Sequence, residues 1–294
     1  MAAGSIDASW RGFASDNYAG VHPEVFEALA AVNVGHQSAY GDDVVTDQAR
    51  SLVREHFGAG AEFFPVFNGT GANVVALQSV NQRWQSVICA ASAHIHVDEG
   101  GAPESMAGMK LWTVPTADGK LRPDDVQGQC FDMEFVHRAQ PGAVSITQSS
   151  EMGTVYSPDE VSALAEVAHA NNLALHMDGA RLSNAAASLR VPVRTFTADA
   201  GVDLVSFGLT KNGAMAAESV IVLNGDRVQG VDFLRKTSMQ LASKMRFLSA
   251  QFVAMLTDDL WLRSAGHANA MASRLHDGVG DLPGVTITQS VDAN

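Results

Sequence analysis

One lysine is conspicuous for where it falls. In Asp203-Leu-Val-Ser-Phe-Gly-Leu-Thr-Lys-Asn-Gly213, Lys211 follows a short apolar stretch that reads as a buried strand ending in a small-residue turn. An amine beside buried strand is costly unless it is neutral, paired or in covalent use. A lysine held where its pKa can fall is a natural Schiff-base nucleophile for a carbonyl group. The plain alternative is a solvated loop lysine, the usual state of the residue type. A second ionisable residue, Asp178, ends another apolar stretch, Leu173-Ala-Leu-His-Met177. The gap between the two acommodates a helix and a strand, so both side chains can face one pocket.

Two further stretches carry chemistry. Phe63-Phe-Pro-Val-Phe67 reads as a strand, and Asn68-Gly-Thr-Gly-Ala-Asn73 follows it. A helical pattern through Val74, Val75, Leu77 and Val80 comes next. Strand, glycine turn and helix N-terminus form an anion cradle, because free N–H groups and the helix dipole face the same point. The ligand would be the phosphate of a cofactor such as pyridoxal phosphate, or a dinucleotide. The dinucleotide fingerprint needs a further glycine where Val74 stands. A plain tight turn is the third reading. In Ser92-Ala-His-Ile-His-Val-Asp-Glu99, the histidines His94 and His96 precede two acids. A metal site would want a third ligand at zinc-like spacing, and none is present. The other readings are a histidine ring stacked on a planar cofactor, or polar residues closing a strand.

Together these pieces fit pyridoxal 5'-phosphate. The lysine would hold its aldehyde as an imine. The carboxylate would keep the pyridine nitrogen protonated, making the ring an electron sink. A stacked side chain would fix the ring's plane.

The elements that must position these residues alternate in type. Strand-like stretches at 63–67, 86–91, 111–115, 144–147, 173–177, 203–207 and 218–223 are separated by helical patterns. That alternation predicts an α/β fold with a mostly parallel sheet flanked by helices. Functional residues fall repeatedly after strands, where open α/β sheets bind ligands. Ser157-Pro158-Asp159-Glu160 predicts a helix start, with Ser at the N-cap, Pro in the first position and Glu in the third. From about residue 230 the pattern turns helical: a run from Leu234 through Leu241, Met245, Leu248, Phe252 and Leu256, then a helix over Trp261–Leu275. Val285-Thr-Ile-Thr288 reads as a strand.

Composition excludes several classes. The 294 residues carry a net charge of −13, which disfavours nucleic acid and anionic membranes as partners. No run of apolar residues is long enough to span a membrane. Met1–Trp10 lacks a signal-peptide pattern. Two cysteines, Cys89 and Cys130, suit a reducing cytoplasm better than a disulfide framework.

Six motifs resemble one family when taken together. Phe13-Ala-Ser-Asp-Asn-Tyr, Tyr40-Gly-Asp-Asp, Asn68-Gly-Thr-Gly-Ala-Asn, Ala93-His94, His176-Met-Asp-Gly-Ala-Arg and Gly208-Leu-Thr-Lys-Asn-Gly are similar to those of low-specificity L-threonine aldolases. These are pyridoxal-phosphate enzymes of the aspartate aminotransferase fold type. The Gln148…Gly153-Thr-Val-Tyr and Ala242-Ser-Lys-Met-Arg-Phe-Leu-Ser stretches resemble one bacterial branch.

The resemblance implies a transferase-like large domain over residues 1–250, including an N-terminal segment 1–22. Residues 251–294 would begin a small α+β C-terminal domain, truncated here before the strand that supplies relatives with a second carboxylate-binding arginine. It implies cleavage of L-threonine, L-allo-threonine and similar β-hydroxy-α-amino acids, such as phenylserine, to glycine and an aldehyde. The implied roles are aldehyde attachment for Lys211, pyridine pairing for Asp178, and ring stacking for His94 close to the substrate hydroxyl. Gly69, Thr70 and Gly71 would bind phosphate. Arg181 would hold the pyridine side or the substrate carboxylate, and Ser15 the carboxylate. Arg246, or its neighbour Lys244, would reach the phosphate from a partner subunit in a homodimer or dimer of dimers. Glu151 stands where many relatives carry a histidine. His94, alone or through a water, would be the base, with Glu151 as the other candidate. The competing readings are another lyase or transaminase of the same fold, such as a β-eliminating enzyme, a non-catalytic fold relative, and more distantly a dinucleotide-dependent oxidoreductase.

Overall fold

The computed structural model describes residue 7 and residues 9–294; the opening stretch that lacks a signal pattern lies largely outside them. Seven strands form one sheet: β1 (Glu62–Val66), β2 (Gln85–Ala90), β3 (Lys110–Val114), β4 (Gln140–Thr147), β5 (Ala174–Gly179), β6 (Leu204–Gly208) and β7 (Glu218–Val222). Their order is β1-β7-β6-β5-β4-β2-β3. β7 alone runs against its neighbours, and the rest of the sheet is parallel. Strands β5, β6 and β7 are buried at every position. They are therefore continuous apolar runs rather than alternating ones, as expected for a sheet covered on both faces.

Helices supply the covering layers. The Gly69–Val80 helix is buried on nearly all sides. Its Ala72, Val75 and Ala76 pack on Val66, Leu204 and Val220 of β1, β6 and β7. Its Val74 and Leu77 join Val87 of β2 and Ala143 of β4. The larger core lies on the opposite face, between the sheet and the helices Val44–Phe57, Pro158–Ala170, Leu182–Leu189 and Arg246–Leu256. Phe57, Phe207 and Phe252 meet there edge to face or tilted. The Pro158–Ala170 helix starts as its sequence requires: the Glu160 amide donates to Ser157 Oγ at 3.2 Å, and the Ser157 amide donates to Glu160 Oε2 at 2.8 Å. Such a cap contributes about 1 kcal/mol.

Two expectations about the C-terminal third change. The helical run from Leu234 is broken: a helix over Val231–Thr237 stops, and the next begins at Arg246. Met239 takes a left-handed φ of 60° between them, which no helix interior allows. Val285–Thr288 is irregular, since no strand of the sheet lies beside it to complete a ladder. Residues 251–294 share the main core. Phe252, Met255, Leu256, Leu260, Trp261 and even Ala293 are buried with the residues of the large domain. The apolar face of the Arg246–Leu256 helix packs there. Among the described residues, no helix is long and apolar enough to cross a membrane.

Candidate active site

The sheet direction gathers the chemistry. β1, β2, β4, β5 and β6 all end at one edge, and reversed β7 begins there. The turns at that edge enclose a cavity of about 300 Å³ lined by Lys211, Asp178, His94, Gly69 and Thr70. Lys211 sits in a one-turn helix, Thr210–Asn212, anchored by Asn212 Nδ2 donating to the Trp261 carbonyl at 2.8 Å. Gly213 closes this turn at φ 102°, beyond the range of an L side chain, and a Cβ there would overlap the His22 ring. Lys211 is thus held by a packed turn.

The glycine turn is more selective than its sequence suggests. Asn68 caps the helix by accepting the Gly71 amide at 2.7 Å. Gly69 and Thr70 line the cavity at the helix N-terminus, but Gly71 does not, and its N–H is committed to the cap. Glycine at 71 serves another purpose. A Cβ there would overlap the Gln240 side chain, whose Oε1 accepts the Phe67 amide at 3.0 Å.

A polar chain runs beneath the lysine. Asp178 is 5% exposed and takes hydrogen bonds from Asn73 Nδ2 at 2.9 Å and the Ala180 amide at 3.1 Å. Asn73 Nδ2 also donates to Glu99 Oε1 at 2.7 Å, and that oxygen lies 2.9 Å from His94 Nδ1. The hydrogen bond that His94 Nδ1–H donates to Glu99 raises the His94 pKa above its ordinary value, against the opposing effect of partial burial. Glu151 sits below the imidazole. Its Oε1 accepts the His94 amide at 2.7 Å and the Thr147 hydroxyl at 2.9 Å. Burial, reinforced by Asp178, raises the Glu151 pKa. One layer deeper, His176 is fully buried between Ser145 Oγ and Ser206 Oγ, each at 2.9 Å. Burial pushes its imidazole down to about 4, so it is neutral under Asp178.

His94, Glu99 and Asp178 place ligand-type atoms within 4.8 Å of one another, whereas His96 is exposed. The Asn73 amide bridges the two acids there through hydrogen bonds. Asn73, Glu99, Glu218 and Thr210 line the cavity and were not singled out from sequence. Asn73 had a signal, a polar residue in a helix otherwise buried and apolar; Glu99 had none beyond its nearness to His94.

The remaining candidates lie elsewhere. Ser15, Arg181 and Glu151 line a neighbouring cleft of about 860 Å³. Arg181 is not open there: its Nε and a terminal nitrogen both lie 2.8 Å from Asp16 Oδ2. Asn17 lines the inner cavity, so residues 15–17 form part of the wall between the two spaces. Arg246 begins its helix with its guanidinium over the Phe247 ring and lines neither space.

The chain matches the beta-eliminating lyase family over residues 12–294. It is 45% identical, over 96% of its own length and 82% of the relative's, to the low specificity L-threonine aldolase of Pseudomonas aeruginosa. The chain belongs to the low-specificity L-threonine aldolase family. A Saccharomyces cerevisiae member is 25% identical over 95% of this chain and 71% of its own. The Leishmania major threonine aldolase structure superposes with a TM-score of 0.86 at 29% identity, covering 93% of this chain and 81% of that one. The Thermus thermophilus aspartate aminotransferase, at 16% identity, shares the fold with a TM-score of 0.65, over 88% and 69% of the two chains.

The cofactor of this family of lyases is pyridoxal 5'-phosphate. The cavity suits it. An uncapped pair of helix-terminal residues, Gly69 and Thr70, offers a phosphate site at one end. Lys211 supplies the amine for an aldehyde, and buried Asp178 the counter-charge for a pyridinium. The Glu99 Oε2 atom is buried without a partner, which leaves hydrogen-bonding capacity facing this site.

Proposed function

We propose that this protein cleaves L-threonine-type β-hydroxy-α-amino acids between Cα and Cβ, giving glycine and an aldehyde, with pyridoxal 5'-phosphate as cofactor. The observation that carries this reading is one cavity shared by Lys211, Asp178, His94 and the start of the Gly69–Val80 helix. When bound, the cofactor supplies an aldehyde for the amino group and a conjugated ring that takes up the electron pair released at Cα.

Each residue then has a task. Lys211 would hold the cofactor through its amine. Asp178, stiffened by Asn73 and the Ala180 amide, holds a proton on the pyridine nitrogen; hydrogen bonds to a charged group contribute about 1.5–3 kcal/mol each. His94 Nδ1 is committed to Glu99, so Nε2 takes the proton of the β-hydroxyl as the Cα–Cβ bond breaks. Glu99 positions the ring and raises its basicity. Glu151 holds the His94 backbone in place. Arg181 and Ser15 receive the substrate carboxylate, with Asp16 as the anion that it displaces. Gly69 and Thr70 bind phosphate, with Gly71 setting the turn.

The assembly is a homodimer or a dimer of dimers in the cytoplasm. Supporting this are two unpaired cysteines and a half-buried Arg246 that lines neither space of its own chain, where it is available to the phosphate of a second copy. Product analysis tests the reaction. Incubation with L-threonine should yield glycine and acetaldehyde; ammonia with 2-oxobutanoate would mean β-elimination and overturn the proposal.

A further inference from the structure

Glu218 opens β7, the one reversed strand, so it stands where its neighbours end. Val66 closes β1 opposite it on one side, and Gly208 closes β6 opposite it on the other. Its carboxyl therefore lies between the anion-binding turn and the lysine turn. Oε2 is 3.6 Å from the point a Cβ on Gly69 would occupy, and a Cβ on Gly208 would overlap the same atom. Gly69 is the first residue of the helix whose N-terminus faces the cavity, and Glu218 lines that cavity with it. The Thr210 hydroxyl and amide stand beside the carboxyl and favour its charged form, against the larger effect of burial. That hydroxyl in turn accepts the Ala217 amide at 3.2 Å.

An ionised acid here would oppose the cradle it touches. The charged groups facing it are Asp178 from β5, Lys211 from the turn after β6, and His94 and Glu99 from the segment after β2. The cradle turn at 67–70 and the approach to β7 at 215–216 bring none. Three carboxyl groups thus share the space with one lysine and one histidine. A phosphate added beside an ionised Glu218 meets like charge in a poorly hydrated place. A neutral acid reverses the sign, because a protonated carboxyl is a hydrogen-bond donor.

We propose that Glu218 is a component of the phosphate site: as a neutral acid it donates its proton to a phosphate oxygen of the cofactor, and its ionisation weakens cofactor binding. This rests on the cofactor assignment made under the proposed function. Burial, with a smaller contribution from Asp178, pushes the Glu218 carboxyl up to about 7, so both forms are present near neutrality.

The test is cofactor affinity of the apoprotein against pH, read by quenching of tryptophan fluorescence, for the wild type and Glu218→Gln. Effects of pH on the cofactor and on Lys211 are common to both and cancel in the ratio of dissociation constants. The ratio, wild type over variant, should lie near one at about pH 6 and climb toward tenfold per pH unit above about pH 7. A flat ratio with both proteins binding overturns this proposal and leaves the function standing. Binding by neither protein at any pH overturns both. A second measurement needs no variant. Calorimetry of sulfate binding to the wild-type apoprotein, in buffers of different ionisation enthalpy, should show uptake of about one proton per sulfate near pH 8.5 and none near pH 6. Sulfate binding without uptake at the higher pH would overturn the proposal.

Discussion

The inner cavity and the outer cleft share a wall, yet they are built on different principles. Inner residues leave the ends of buried strands and the first turn of a buried helix, and their polar atoms are tied to one another. Outer residues come mostly from the segment 10–20, the loop at 150–153 and the last helix, with Arg181 added from the turn after β5. There Phe13 is 91% and Trp10 60% exposed, and the leading cation, Arg181, is engaged by Asp16. A sheet fixes the directions in which its strand ends point, so groups placed there are preorganised for one reaction. A surface segment can adapt its contacts at little cost to the fold, which suits it to recognising substrate. The inner space should therefore govern chemistry, and the outer one selection.

Substitutions can break that division or sharpen it. Lys211→Ala should have the largest effect: turnover of L-threonine should fall on the order of 10⁴-fold, as for loss of a covalent nucleophile. The purified variant should also lack the absorbance near 400 nm of a lysine-bound cofactor. Retention of that band in the variant would place the attachment elsewhere. Asp178→Asn should lower kcat roughly 10²- to 10³-fold with a smaller change in KM, since it removes charge that acts as the bond breaks. A raised KM with kcat unchanged would make Asp178 a mere binding residue.

Beneath it, His176 gives the inner region an acid limit. A histidine held neutral, with its pKa depressed to about 4, contributes stability that is complete above its unfolded pKa of about 6.5 and is lost as pH falls from there toward 4. The loss amounts to roughly 3 kcal/mol at 1.36 kcal/mol per pKa unit. Thermal melting should drop across that window in the wild type and less steeply in His176→Gln.

Glu99→Gln removes the bond that raises the His94 pKa. A base must be unprotonated, so activity rises as pH passes through the His94 pKa, and the variant's acid limb should move to lower pH. An unmoved limb would assign the base elsewhere. The smallest effect belongs to the outer cleft. Asp16→Asn frees Arg181 and should change KM for L-threonine by less than about tenfold, with kcat nearly unchanged. A large fall in kcat instead would contradict the division between the two spaces.

Much of this site was legible in the chain because each signal was local. Lys211 and Asp178 end apolar runs, and a parallel sheet must bring such ends to one edge. The glycine turn before a helical pattern marks the anion cradle at Gly69 and Thr70 for the same reason. Gly71 has its amide on Asn68 and does not line the cavity, a placement that nothing in the sequence signals. Glu218 was invisible: as the first residue of an apolar strand it reads as a boundary marker, and its meaning comes from β7 running backwards. The helix break at 238–245 and the irregular 285–288 stretch were missed because propensity does not report whether a packing partner exists.

The residues alone determined the alternation of strand and helix, the lysine, the acid and the anion cradle, since each depends on neighbours within a few positions. Tertiary structure decided which polar groups touch: the Asn73 bridge, the Glu99 hold on His94, the pairing of Arg181 with Asp16, and the acid, Glu218, that lies against Gly69 at the helix start. Those contacts join residues on separate elements, and their strength depends on burial, which no local stretch of chain encodes.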